Sequence, residues 1–465
     1  MLLSTPPFAA FFVAVCLLFW SLRGSRRAQQ TLLLAANCFF LLKFGPVYLA
    51  LALFATCDFL LARGMPKASA GGRRGLLILS LLLNLGVLAS LKVLPLVGGD
   101  HFDWLLRLSL SFYVFQSLSY TIDIYRGDGK PTDDLLAYLA SALFFPSIVA
   151  GPIPRQRKLL KEMTAPFRLD TDLAARAFLL IGIGLVKKLL IADYLADNLV
   201  NRIFDTPTLY SGLENLVGVY GYALQLFFDF SGYTDLAIGI ALLMGLRLPE
   251  NFRQPYLSVN LQDFWKRWHI SFSAWLTDYL FESLPKSRKW LRLSYCTAFL
   301  ITFLLGGLWH GLAWTFVIWG LLHGIGLSVV FIWVRWRKAR AAAGAPVKAP
   351  GGGSVLGKVL GGLLTFHFVC FSWVFFRAES VPQALEVLRQ IGSHTLGAEN
   401  LSLRVLLVLG AAVLVHCLPP SLFDRSEKLT TRLPFWAWGG ALAGLILIIQ
   451  NLAGKGSAPF VYGKF

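Results

Sequence analysis

One apolar stretch decides the fold. Residues 296–334 read CTAFLITFLLGGLWHGLAWTFVIWGLLHGIGLSVVFIWV and contain no Asp, Glu, Lys or Arg. A helix needs about 20 apolar residues to cross about 30 Å of hydrocarbon, so this stretch is long enough for two crossings. Gly311 lies near its middle and offers a place for a break. The stretch predicts two membrane helices that carry His310 and His323 as buried ionisable residues.

The rest of the 465-residue chain has the same character. Hydrophobic residues make up 56% of the chain and charged residues 15%, whereas a soluble domain has about 25% charged residues. This deficit of charge excludes a soluble enzyme and a disordered chain. The sequence predicts an all-α, polytopic membrane protein that forms one membrane-embedded domain over residues 1–465.

Apolar runs along the chain predict about 11 to 13 membrane segments, some of them re-entrant. The pair around Gly45 is short in each half, and 211–246 is either one pass or two passes broken at Gly232. The candidate segments are 8–22, 31–44, 46–62, 75–97, 103–122, 135–150, 174–197, 211–246, 291–309, 311–334, 357–376, 401–418 and 434–452.

The net charge of +18 arises from 43 Lys and Arg against 25 Asp and Glu. The basic residues stand in short clusters between apolar runs, which is the positive-inside pattern of cytoplasmic loops and not a nucleic-acid surface. The loop at 98–101 lacks Lys and Arg and is predicted to be external. Residues 341–354, rich in Ala, Gly and Pro, predict a flexible cytoplasmic linker. The clusters are Arg23/Arg26/Arg27, Arg63/Lys67/Arg73/Arg74, Arg155/Arg157/Lys158/Lys161, Lys286/Arg288/Lys289/Arg292 and Arg335/Arg337/Lys338/Arg340.

Two segments do not fit simple spanning helices. Residues 144–155 contain three prolines and a glycine, which predict a re-entrant or interfacial elbow. Residues 260–281 predict one amphipathic helix that lies in the membrane interface, with Asn260 as its N-cap and an aromatic face. His269 falls at the border of the two faces of this helix, from where it could point into the protein.

Three histidines lie inside apolar runs and are therefore functional candidates. His310 is either a core histidine bonded to a carbonyl or a catalytic group. His323 follows thirteen residues later, about 20 Å along a straight helix, and can share a site with His310 only if the chain bends at Gly311 or Gly320. His367 is also a buried candidate for a functional role. The alternative is that it only packs in the core. The remaining histidines, His101, His394 and His416, are predicted to be solvated or interfacial.

Other polar residues within apolar runs are explained more simply by structural roles than by catalysis. Asp229, Ser231 and Asp235 could bind a cation, cap a broken helix or line a path, but hydrogen-bonded structural pairing is the simplest reading. Lys187 and Lys188 predict a helix end with side chains that reach the lipid phosphates. The six cysteines form no C-x-x-C pair, and no motif of a metal or nucleotide site occurs, so no bound metal or cofactor is predicted.

Several motifs in order resemble one known family. The bacterial branch of the membrane-bound O-acyltransferases, in particular the integral membrane subunits of alginate O-acetylation, carries similar strings, with some resemblance to the teichoic-acid D-alanyl transferases. These strings are LSYTIDIYRG (118–127), FFPSIVAGPIPR (144–155), FFDFSGYTDLAIGIALLMGLRLPENFRQPY (227–256), FWKRWHISFSAWLTDYLF (264–281), GGLWHG (306–311), FSWVFFRAES (371–380) and PFVY (459–462).

The resemblance implies a helical bundle around a transmembrane tunnel. It implies that His310 is the essential catalytic residue and that His269 is its partner. His367 matches an important histidine of the D-alanyl branch, and His323 matches a position that is often histidine in the acetyl branch. Residues 282–285 depart from the family's double-glycine pattern.

The expected activity is acyl transfer from a thioester, with acetyl-CoA as co-substrate, to an extracytoplasmic polysaccharide. Neutral imidazole, with an ordinary pKa near 6.5, suits the role of a general base at pH 7. The expected setting is the bacterial inner membrane, with a periplasmic acyltransferase partner and no nucleic acid. The alternatives are D-alanyl transfer to an envelope polymer, a transporter or flippase with proton-relay histidines, and a non-catalytic scaffold.

Overall fold

A computed structural model describes residues 2–98, 104–284, 294–343 and 354–452, with side chains undescribed at 47, 90–98 and 104–110. Throughout these ranges the ordered elements are helices, and no strand occurs. The prediction of an all-α polytopic membrane protein is confirmed. The basic cluster at 286–292, the string at 459–462, His101 and most of the 341–354 linker lie outside the described residues.

The α-helices are numbered here in chain order. Those up to the middle of the chain are α1 Pro6–Ser21, α2 Arg26–Leu42, α3 Ala50–Gly64, α4 Ala70–Gly98, α5 Trp104–Arg126, α6 Leu135–Ala142, α7 Phe145–Ile148, α8 Gln156–Thr164, α9 Thr171–Leu185, α10 Asp193–Leu195, α11 Asn201–Asp205 and α12 Gly212–Leu243. Those that follow are α13 Leu261–Trp265, α14 Ile270–Trp275, α15 Tyr295–His310, α16 Trp314–Ala342, α17 Val355–Arg377, α18 Val381–Gly392, α19 Leu403–Cys417, α20 Pro420–Arg432 and α21 Phe435–Leu452. Short π-helical stretches occupy Val186–Ala192, Ala196–Val200 and Leu276–Leu280, and 3₁₀ turns occupy Pro46–Leu49, Met65–Lys67, Pro207–Leu209, Pro255–Leu257 and Phe281–Ser283.

Five described helices are long and apolar enough to cross a membrane: Gly212–Leu243, Trp314–Ala342, Val355–Arg377, Phe435–Leu452 and residues Ala70–Ala89 of α4. The number of candidate crossings rises to six if α19 and α20 are counted together as one broken span. Helices α1 and α15 are apolar but shorter. The predicted total of 11 to 13 segments therefore stays a prediction.

The described chain forms two compact units. Unit 1 contains described residues of Met1–Leu190, Asp229–Glu250 and Pro419–Phe465, and unit 2 contains those of Ile191–Phe228 and Asn251–Leu418. The prediction of a single domain over 1–465 stays a prediction.

In unit 1, Gly232 does not break the chain, because α12 is continuous through it. A Cβ at Gly232 would lie 2.9 Å from the carbonyl oxygen of Gly184 in α9. The glycine therefore allows two helices to approach closely, as small residues do in membrane helix packing. Because α12 continues through Gly232, the predicted alternative of two passes in 211–246 is wrong.

The same contact between α9 and α12 carries two ion pairs. Lys188 Nζ lies 2.6 Å from Asp229 Oδ1, and both side chains are at most 4% exposed. Lys187 Nζ lies 2.6 Å from Asp235 Oδ2. The prediction that both lysines reach out to lipid phosphates is wrong: they follow the start of a π-helical stretch and point inward. The structural pairing predicted for the aspartates is confirmed.

The segment 144–155 is irregular, as predicted. Only the single turn of α7 is helical, and the extended backbone that follows it is buried. A Cβ at Gly151 would collide with the carbonyl oxygen of Pro146, so the elbow requires glycine there.

The amphipathic segment 260–281 is not one helix. Asn260 caps α13 by accepting a hydrogen bond from the Asp263 amide at 2.9 Å, as predicted. The chain then breaks at His269, whose φ of 43° lies in the left-handed region, before α14 begins. Of the aromatic face predicted for this segment, five members are buried within the protein: Leu261, Phe264, Trp268, Phe272 and Trp275.

Candidate active site

The histidine of the WHG string closes helix α15 in unit 2. The chain turns between His310 and Trp314, and α15 and α16 pack side by side as a hairpin. Glycines allow this approach: a Cβ at Gly307 would collide with the Phe316 carbonyl oxygen, and one at Gly320 with that of Phe303. The break predicted at Gly311 is present, so His310 and His323 lie on adjacent helices.

His310 is enclosed by aromatic rings and is 5% exposed. Its ring centroid lies 4.5 Å from that of Trp309, 4.8 Å from Phe376 and 5.3 Å from Trp319, the last at right angles. Phe316 adds a further ring at 6.1 Å. Such a setting has a low dielectric constant, in which fixed dipoles act strongly on developing charge.

The side chain of Asn251 holds His269. The Asn251 carboxamide oxygen accepts hydrogen bonds from the Ser271 amide at 3.1 Å and from the Ser271 hydroxyl at 2.8 Å. Since this oxygen is an acceptor only, the His269 Nδ1 that lies 3.0 Å away must carry the proton. Neutral His269 therefore has its lone pair on Nε2. The Ile270 amide donates to the Asn251 carbonyl at 2.9 Å and anchors the break in the backbone.

Burial also determines the charge of His269. The side chain is 1% exposed, and it lies outside the candidate spanning helices. Removal from water lowers the pKa of His269 to about 3. The imidazole is therefore neutral at pH 7.

An aromatic stack links His269 to His310. The His269 ring stacks on Phe272 at 5.0 Å, Phe272 lies 4.5 Å from Trp309, and Trp309 contacts His310. Two rings therefore separate the two imidazoles. The structure therefore brings His310 and His269 together in unit 2. These are the two residues that the family resemblance implies to be the catalytic residue and its partner.

His323 belongs to a closed hydrogen-bond chain. The Trp265 indole donates to His323 Nδ1 at 3.2 Å, and His323 Nε2 lies 2.9 Å from the Ser372 hydroxyl. Because indole only donates, Nε2 carries the proton and donates to Ser372, which donates to the Val369 carbonyl at 2.8 Å. His323 joins α13, α16 and α17, and both its ring nitrogens are bonded within the protein. A catalytic part for His323 stays a prediction, and its contacts favour a structural role.

His367 lies apart from these residues. The prediction that it is buried is wrong, because the side chain is exposed on α17. Its Nδ1 donates to the Leu363 carbonyl at 2.8 Å, and its Nε2 accepts from the Tyr220 hydroxyl at 2.9 Å. Among the described residues, its ring contacts are with Tyr220 and Phe366 and not with His310 or His269. Its catalytic role, predicted from the D-alanyl branch, stays a prediction.

Of the other two described histidines, one departs from its prediction. His394 is exposed as predicted, but His416 is only 5% exposed and packs 4.6 Å from Phe227 at right angles. The Tyr256 amide donates to His416 Nε2 at 3.3 Å, so this histidine supports the loop that follows Asn251.

Two residues of the site do not stand out in the sequence. Asn251 lies in the string PENF and could have been noticed as a polar residue of a family motif. Trp319 is 2% exposed, and its indole nitrogen has no hydrogen-bond partner among the described residues. Nothing in its sequence surroundings distinguishes it from the other tryptophans.

The chain is similar to several known proteins. The model of the membrane-bound O-acyltransferase family matches residues 132–353, which include His269, His310 and His323. The probable alginate O-acetylase AlgI of Pseudomonas aeruginosa is 35% identical, over 90% of this chain and 80% of the relative. A peptidoglycan O-acetyltransferase of Helicobacter pylori is 34% identical, over 67% and 64% respectively. A teichoic acid D-alanyltransferase of Bacillus subtilis is 32% identical, over 58% and 68%. The chain therefore belongs to the membrane-bound O-acyltransferase family and is an O-acyltransferase of the membrane.

Proposed function

We propose that this protein transfers an acetyl group from acetyl-CoA to a hydroxyl group of an extracytoplasmic polysaccharide, across the bacterial inner membrane. The observation that carries this proposal is the pair of buried imidazoles, His310 and His269, linked through two aromatic rings. The acetyl specificity is supported by the names of the alginate and peptidoglycan relatives. The basic clusters, expected on the cytoplasmic side, suit a polyanionic CoA donor.

In the proposed reaction His310 is the general base. It takes the proton of the acceptor hydroxyl as that oxygen forms a bond to the thioester carbonyl carbon. The tetrahedral intermediate then collapses, the carbon–sulfur bond breaks, and the imidazolium returns the proton to the thiolate. The products are the ester and free thiol.

His269 orients the acceptor. Its Nδ1 proton is committed to Asn251, so neutral His269 offers the Nε2 lone pair, which can accept a hydrogen bond from a hydroxyl group. A neutral imidazole in this tautomer has no Nε2 proton to donate to an oxyanion. The hydrogen bonds of His269 therefore support a role in orienting the acceptor and not one in donating to the oxyanion.

The donor for the oxyanion is Trp319 in this proposal. Its ring stands at right angles to His310 at 5.3 Å, and its buried N–H has no partner among the described residues. A buried donor without a partner costs free energy that a developing oxyanion would recover. Trp373 provides a matched comparison, since its buried indole also lacks a described partner but its ring packs on Trp319 instead of His310.

The test is a purified-protein assay with labelled acetyl-CoA and polysaccharide. Wild-type protein is expected to release free thiol and label the acceptor, and His310→Ala to abolish both. Trp319→Phe, which removes the N–H but keeps most of the ring, is expected to lower kcat by at least about 10²-fold, and Trp373→Phe by only a few-fold. The exposed His394→Asn variant controls for loss of a histidine. Acyl transfer by His310→Ala at the wild-type rate would refute the assignment.

Two further activities are separated by the same assay. The similarity to a D-alanyltransferase favours D-alanyl transfer as the second candidate, and a D-alanyl thioester in place of acetyl-CoA distinguishes them. A transporter or flippase would release no thiol and would move substrate into vesicles. Relay through a periplasmic acyltransferase predicts that acceptor labelling, but not thiol release, depends on adding that partner.

A further inference from the structure

A buried polar cluster lies in unit 1, where α3, α4 and α5 meet. Asp58 of α3 is fully buried. Its carboxylate accepts hydrogen bonds from the Ser80 hydroxyl at 2.7 Å, the Asn84 carboxamide at 2.8 Å and the Ser117 hydroxyl at 2.5 Å. The Ser80 hydroxyl also lies 3.1 Å from that of Thr121. Side chains from three helices thus converge on one acidic group.

Helix α4 makes its contact with the protein interior through polar side chains. Over Ala70–Ala89, where its side chains are described, the only buried residues are Ser80 and Asn84. They lie four residues apart, so they share one face of the helix. The rest of this apolar segment is partly or fully exposed from the protein, as expected for a helix in lipid. The packing of α4 in this part of the chain therefore depends on the Asp58 cluster.

The charge of Asp58 has no balancing cation among the described side chains. No described Lys or Arg forms an ion pair with it, whereas the buried Asp229 of the same unit is paired with Lys188 at 2.6 Å. A buried charge without a counter-charge is strongly destabilising, by more than hydrogen bonds usually recover. The carboxyl group is therefore neutralised either by its own proton or by a bound cation, and the neighbouring oxygens favour the cation.

One further polar oxygen of the cluster, Asn84 Oδ1, lacks a hydrogen-bond partner among the described residues. The carboxamide oxygen can only accept, so it needs a donor or a cation. All candidate ligands in the cluster are oxygens, which hard cations prefer, and the single carboxylate matches a single positive charge.

We propose that this cluster binds a monovalent alkali cation, with Asp58 as the charged ligand and the surrounding carboxamide and hydroxyl oxygens as neutral ligands. The cation neutralises Asp58 and so holds α3, α4 and α5 together. The site is independent of the acyl-transfer residues, so its test does not require activity.

The test measures thermal unfolding of the purified full-length protein in NaCl, KCl and choline chloride at equal ionic strength. Binding to the folded state raises the unfolding midpoint. The midpoint is expected to rise by at least about 2 °C when Na⁺ or K⁺ replaces choline. Asp58→Asn, which keeps the shape but removes the charge, is expected to abolish the rise. Asp133→Asn, whose carboxylate is 83% exposed in the same unit, is expected to retain it.

Ser117→Ala covers the case in which Asp58→Asn fails to fold. It keeps the carboxylate and removes one hydroxyl oxygen, so the cation concentration for half-maximal stabilisation should shift upward. Equal midpoints of the wild-type protein in all three salts would overturn the proposal. So would a midpoint that depends on pH but not on the cation, which would identify a buried proton, and a cation response that survives unchanged in both variants.

Discussion

At the scale of single residues, the site depends on which nitrogen of each histidine carries the proton. Asn251 places the proton of His269 on Nδ1, whereas Trp265 and Ser372 place that of His323 on Nε2. The first arrangement leaves a lone pair for a hydroxyl group, and the second bonds both nitrogens within the protein. The two buried histidines are therefore suited to different tasks.

Asn251 is predicted to act as a positioning residue through His269. Asn251→Ala removes the acceptor of three donors, which leaves His269 free to adopt the other tautomer. We expect kcat to fall by at least about 10-fold, with a smaller change in the KM of the acyl donor. Asn251→Asp keeps an acceptor oxygen and should recover part of kcat. A purely structural role predicts instead that kcat per folded molecule is unchanged in Asn251→Ala. Ser271→Ala, which removes one donor, is the control and should cost only a few-fold.

The pKa of His269 predicts how stability depends on pH. Its pKa is about 3 in the folded protein and about 6.5 when unfolded. Above pH 6.5 both states are neutral at this group. As the pH falls below 6.5 the unfolded state takes up a proton that the folded state does not, so stability falls, and the loss is complete below pH 3. Between pH 7 and pH 5 this loss amounts to about 2 kcal/mol.

The measurement is the unfolding midpoint of wild-type protein and of His269→Asn from pH 7 to pH 5. Asparagine tolerates the left-handed φ of 43° at this position. The variant is expected to lose less stability over this interval than the wild-type protein. The same pH dependence in both proteins would contradict the assignment.

At the scale of helices, close packing of glycine against backbone decides where functional side chains lie. The hairpin of α15 and α16 brings both His310 and His323 into ring contact with Trp319, at 5.3 and 5.0 Å. In unit 1 the approach of Gly184 to Gly232 places Lys188 against Asp229. In both contacts a glycine stands where a Cβ would meet the neighbouring helix.

Adjacent glycines of α15 allow a matched test of this packing. Gly307→Ala places a Cβ against the Phe316 carbonyl, whereas Gly306→Ala places one in open space. We expect Gly307→Ala to lower the unfolding midpoint and to reduce acyl transfer at least about tenfold, because a displacement of 1 Å at a reacting group can cost 10²-fold. Gly306→Ala should behave like the wild-type protein, since alanine favours helix. Similar behaviour of the two variants would show that the close contact is not required.

At the scale of the whole molecule, the positive charge predicts the orientation in the membrane. The cluster at the end of α16 should be cytoplasmic, and residue 99 should be external. In a cysteine-free background, a cysteine in place of Ala342 should react with an impermeant maleimide only after the membrane is opened. A cysteine in place of Gly99 should react in intact spheroplasts. The opposite pattern would reverse the proposed path of the acyl group.

The sequence by itself determined the class of the protein. Hydropathy and charge add up along the chain, so they established an all-α membrane protein without reference to contacts. Long motifs in order pointed to the family and singled out His310 and His269. Local signals such as the Asn260 cap and the elbow at 144–155 were also predicted, because they depend on neighbouring residues.

Only the tertiary structure decided what each buried polar residue does. It showed that His367 is exposed, that Lys187 and Lys188 point inward, and that a single predicted helix breaks at His269. These outcomes depend on partners far away in the chain, such as Asn251 for His269 and Asp229 for Lys188. The free energy of a buried polar group depends on the partner it finds after folding, and composition and periodicity do not contain that information.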